Sequence, residues 1–144
     1  MDLSNEHFLR TTSYPEAIKD GAVRRRAFEP SRWDINEGMS LYRNLPELTS
    51  FSDASVFIKW SSRRRKSGHL GICFLLRQFI ESIGMTLKED ANPIDPNDPL
   101  SQRFEPQHHL MICESSADKC PDKDMQSKLA KHATDMGNFV SSVD

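Results

Sequence analysis

The chain has 144 residues, of which 37% are apolar and 28% charged, with a formal net charge of −2 and a mean hydropathy of −0.61. One domain of roughly 100–150 residues accounts for that length, and a chain of this size buries about 68–70% of its unfolded surface without needing staples. Eight Phe, two Trp and two Tyr exclude a purely disordered chain, and no apolar run approaches the ~18 residues of a membrane span.

Residues 1–20 are polar, with Leu3, Phe8, Leu9 and Tyr14 scattered among them, and read as a partly ordered N-terminal arm. Residues 21–144 read as a single α+β domain. Ala22 to Phe28 alternates weakly and is expected to be a short edge strand, with Arg24 to Arg26 supplying charge that protects the edge. A turn at Asn36-Glu37-Gly38 leads to a second strand at Met39-Ser40-Leu41-Tyr42-Arg43. Ser52-Asp53 can cap a helix that presents Ala54, Phe57, Ile58 and Ser61 on one face. A strand from Val56 to Trp60 is the competing assignment.

Ile72, Leu75, Leu76, Phe79, Ile80 and Ile83 recur with helical spacing, and Gly84 stands where a left-handed cap belongs. Leu70 to Leu75 is apolar on every side, so a buried strand feeding a shorter helix is the alternative. Met85 to Lys88 reads as a strand. Residues 91–107, with four prolines, read as a long loop, and His109 to Cys113 as a short strand. Pro121-Asp122-Lys123-Asp124 opens a C-terminal helix at about 122–140, with Met125, Leu129, His132, Met136 and Phe139 on its repeat. The sum is an α+β fold: a small, mostly antiparallel sheet of three to four short strands with two to three helices packed on it.

Charge is unevenly spread. Residues 24–66 hold ten basic and five acidic side chains, whereas residues 67–144 hold seven and twelve. Two bursts, Arg24-Arg25-Arg26 and Arg63-Arg64-Arg65-Lys66, are the expected partner- or anion-binding surface, because a guanidinium fork suits carboxylate and phosphate. A plain structural role competes with this for the second burst, since cations at a helix C-terminus complement its dipole. A pI near 6.2 is low for a dedicated nucleic-acid binder.

Three cysteines form no paired framework, and the first residues lack the basic flank and apolar stretch of a secretory signal, so the expected compartment is the cytoplasm. The glycines form neither G-x-x-x-x-G-K-[ST] nor G-x-G-x-x-G, and there is no G-x-S-x-G elbow. No cofactor is implied. His109, Cys113 and Cys120 are weak metal candidates, because His-x3-Cys and Cys-x6-Cys are unlike the Cys-x2–4-Cys of zinc modules. His109 and Cys113 would share one strand face while His108 points away from it.

Two readings of function follow. The first is an accessory or adaptor protein that binds a protein partner through its arginines, with no membrane involved. The second is a small metal-independent nuclease or phosphotransferase acting on nucleic acid. There His69, three residues beyond Lys66, or His109 would move the proton, with His108 or His109 facing that cluster across the sheet, and Arg63–Lys66 would stabilise the charged phosphorane. Tyr42 and Arg43 are further candidates for such a site.

Overall fold

A computed structural model describes residues 6–14, 16–32, 34–44, 51–62 and 68–143. They form an α+β fold whose main sheet has six antiparallel strands. In chain order these strands are β1 (His7–Tyr14), β4 (Met39–Arg43), β5 (Gly68–Leu76), β6 (Thr86–Glu89), β7 (His108–Ile112) and β8 (Asn138–Val143). Across the sheet the order is β6-β7-β4-β1-β5-β8. A separate hairpin pairs β2 (Ile18–Lys19) with β3 (Ala22–Val23). Its turn residues Asp20 and Gly21 both have positive φ, as tight hairpins of this hand require. Four α-helices complete the described structure: α1 (Phe51–Ser62), α2 (Arg77–Ser82), α3 (Pro99–Phe104) and α4 (Lys123–Met136).

Six strands replace the expected three to four, and four helices the expected two to three. Burial on both faces explains the difference. On one face α2, α4, the β2–β3 hairpin and a 3-10 turn at Arg25–Phe28 cover Phe8, Met39, Leu41, Cys73, Leu75 and Met111. On the other, α1 and α3 bring Phe57, Ile58, Trp60 and Phe104 over Leu9, Ile72 and Phe74. A central strand between two helical layers needs apolar groups on successive residues, so it loses the alternation that announces a strand.

Two strands lose their sequence signal for that reason. Residues 7–14, expected within an arm, form β1 between β4 and β5, and adjacent Phe8 and Leu9 serve opposite cores. Arg10 breaks the strand's apolar pattern, yet its guanidinium donates to the carbonyls of Ala27 and Ser40, each at 3.1 Å, and lies 4.0 Å from Asp34. Residues 68–76 are strand and only 77–82 are helix, the alternative assignment of this stretch, so the helical stripe spans a strand-to-helix junction. Gly71 lies so close beneath its neighbours that an added Cβ would meet Ile18 Cδ1 at 2.8 Å and the Phe139 carbonyl oxygen at 3.1 Å.

The edge strand expected over 22–28 is two residues of β3 followed by the 3-10 turn. Within the Pro-rich stretch, Asp98 caps α3 by accepting from Leu100 N–H at 3.0 Å, with Pro99 at the first helical position. The C-terminal helix starts as expected, because Asp122 Oδ1 accepts from Met125 N–H at 2.8 Å. It stops at Gly137, whose φ of 98° leaves helical space, and residues 138–143 return as strand β8.

Candidate functional site

The first arginine burst sits on the 3-10 turn. Arg25 Nη1 donates to Gln126 Oε1 of α4 at 2.7 Å and pairs with Glu29 at 3.3 Å. Gln126 is itself buried and donates from Nε2 to the Pro121 carbonyl at 2.9 Å. Arg24 N–H donates to the Ala17 carbonyl at 2.7 Å, and Ala27 and Phe28 are buried beneath the turn. Arg24 and Arg26 therefore face solvent on a segment pinned from three sides. Arg63, Arg64, Arg65 and Lys66 lie outside the described residues. His69 stands in β5 opposite Tyr14 and Ser142, and only its backbone is described.

His109 points into the core. It is 4% exposed, its Nδ1 donates to the Gln107 carbonyl at 2.8 Å, and its ring meets Phe8 edge-on at 5.0 Å. A ring so enclosed packs the sheet against Phe8. The metal candidates are not brought together: among the described residues no group of three or more His, Cys, Asp or Glu is placed to hold an ion. Cys113 is buried against Ser115 and Met125, and Cys120 is buried with its thiol directed at the Asp34 carbonyl. His109 lies four residues from Cys113 along the chain, about 13 Å in extended conformation, so sharing a face does not bring them together.

The opposite face carries a polar constellation around Tyr42 and His108, a grouping the sequence did not announce. Tyr42 of β4 stands directly across from His108 of β7, and Ser40 directly across from Leu110. Ser40 and His108 are thus diagonal neighbours on one face, within reach of each other. His108 is buried; its Nδ1 lies 2.8 Å from the Asp90 carbonyl and 3.3 Å from Asp90 Oδ2, and its Nε2 lies 2.9 Å from Ser40 Oγ. A carbonyl only accepts, so Nδ1 carries a proton, and in the neutral ring Nε2 then presents a lone pair to the Ser40 hydroxyl.

Tyr42 supports this ring edge-on at 5.2 Å and also meets Phe57 and Trp60. Its hydroxyl oxygen accepts from Asn92 Nδ2 at 3.3 Å, and the same amide donates to buried Glu105 at 3.2 Å. Arg43 donates from Nε to Gln107 Oε1 at 2.7 Å, outside the chain of bonds through His108. One local signal pointed here: alternation through Met39–Arg43 puts Ser40 and Tyr42 on the same side, and His108 on the side opposite His109. The pairing of β4 with β7, which makes them a group, has no local signature.

Chemically, this arrangement can hold a serine hydroxyl against a neutral imidazole of defined tautomer. The arginine turn can hold an acidic group at the surface. No family model, curated protein or solved structure matches the chain. No helix of the described residues is long and apolar enough to cross a membrane.

Proposed function

We propose that the protein is a small cytoplasmic accessory protein that binds an acidic surface of a protein partner through Arg24 and Arg26. The observation that carries this reading is how the turn is tied down: Arg25 is bonded to Gln126 of α4 and paired with Glu29, while Arg24 and Arg26 are exposed. Cations carried on a tied backbone lose less chain freedom on binding than cations on a free loop, and a charged patch also speeds encounter with a complementary one. The free, buried state of Cys73, Cys113 and Cys120 supports a reducing compartment.

The test is native mass spectrometry of the tagged protein purified from its own cell at moderate salt. A stoichiometric protein partner is expected, and it should be lost from an Arg24→Glu/Arg26→Glu variant whose melting temperature is unchanged. Nucleic acid that co-purifies and leaves as salt rises would replace this reading with the nucleic-acid one. A partner retained by the double variant would move the contact surface elsewhere.

A further inference from the structure

Two adjacent rows of residues cross β4, β7 and β6 at one edge of the sheet, on the face that carries Tyr42. One row is Tyr42, His108 and Asp90; Asp90 directly follows β6, and its N–H donates to the His108 carbonyl at 3.0 Å. The next row is Ser40, Leu110 and Lys88, opposite one another in register. Ser40 and Lys88 are exposed and Leu110 is half-buried between them, whereas His108 behind them is enclosed. The Ser40 hydroxyl thus stands at the solvent-facing end of this chain of bonds.

We propose that Ser40 is a nucleophile activated by His108, with Asp90 as the positioning residue, and that the site cleaves acyl esters whose acyl chain ends in an anion. This goes beyond the binding role and uses different residues. A nucleophile within hydrogen-bond reach of a base, with the base oriented by a third group, is the arrangement such chemistry needs. Here Asp90 orients the ring through its main-chain carbonyl at 2.8 Å, and its carboxylate lies 3.3 Å from the same nitrogen.

Ser40 Oγ forms a bond to the acyl carbon while its proton passes to Nε2. The bond from that carbon to the alcohol oxygen then breaks, and the alcohol leaves with the Nε2 proton. Water next attacks the acyl-Ser40 ester and gives a proton to Nε2. The Oγ–acyl bond breaks, the acid departs, and that proton returns to Ser40. Leu110 offers an apolar floor beside the nucleophile. Lys88, two strands away at about 10 Å, offers a cation to the far end of the acyl chain.

The test treats the full-length chain with a fluorophosphonate probe, which transfers its phosphonyl group to an activated serine with loss of fluoride. A single adduct mapped to Ser40 is expected, absent from Ser40→Ala. His108→Gln should slow labelling by about 100-fold or more, the usual contribution of a general base. Asp90→Asn should slow it by only about 10-fold, because the main-chain carbonyl still sets the tautomer. Because Ser40 and Asp90 are exposed, their variants keep the test valid if His108→Gln fails to fold. No adduct at Ser40, or one formed no faster than at other exposed serines, overturns the proposal.

A p-nitrophenyl ester with a carboxylate-terminated acyl chain should be hydrolysed faster than the neutral ester of equal length. Lys88→Glu should abolish the preference; a preference that survives it overturns the role given to Lys88.

Discussion

The main-chain N–H of Leu76 donates to Nε2 of His132 across 3.1 Å, tying α4 to the junction where β5 becomes α2. The imidazole lies flat on Phe79, with ring centroids 4.0 Å apart and planes within 4°. An N–H donor requires a lone pair at Nε2, so the neutral ring fits this junction and the protonated ring does not.

Burial lowers the His132 pKa from its ordinary 6.5, with His7 adding to the shift and Asp135 opposing it. Lys128 and Lys131 line the same cleft and contribute further positive charge. Since the unfolded chain then binds protons more readily than the folded one, stability should be lost as pH falls below about 6.5. Melting temperatures at pH 7.5 and 5.5 check this by comparison with His132→Leu. That variant should be less stable at pH 7.5 by about 1 kcal/mol, the lower end of the cost of leaving a donor unmet, because this N–H is only partly buried. Its further loss on acidification should be smaller than that of the parent chain; equal losses would show that another group governs the pH response.

Phe8 separates an arm from a structural strand. Its ring is fully buried between the β4 and β5 neighbours of β1, with Arg77 over one face at 5.3 Å. Phe8→Ala should therefore cost about 3–5 kcal/mol, read as a lower denaturation midpoint at unchanged slope. A partly ordered arm would show almost no change.

The cysteines should be inert in the folded protein. Burial pushes the Cys73 thiol up to about 12, against the opposing charge of Arg10. Burial also raises Cys120 to about 11, with Asp118, Asp34 and Cys113 adding to it and Arg10 opposing. The thiolate is the reactive form, so titration with an aromatic disulfide at pH 8 should find essentially no reactive thiol until denaturant is added. All three cysteines should then react. A thiol that reacts at once in native protein would contradict this packing.

The sequence by itself determined the elements whose signals are local. Asp122 and the spacing of Met125, Leu129 and His132 marked the start and face of α4, and alternation marked β4, because a helix cap and a single buried face are written in neighbouring residues. Even there the end of α4 was misplaced. Phe139 and Val140 fit the helical repeat, but Gly137 turns the chain and sends them to opposite sides of the sheet in β8. Tertiary structure decided β1 and β5, since strands sandwiched between helical layers carry apolar groups on both faces and lose their period. It alone decided the Ser40–His108 contact, which joins residues 68 positions apart. Such a contact depends on which strands pair and in what register, and those are set by how both cores close over the whole sheet rather than by any stretch of chain.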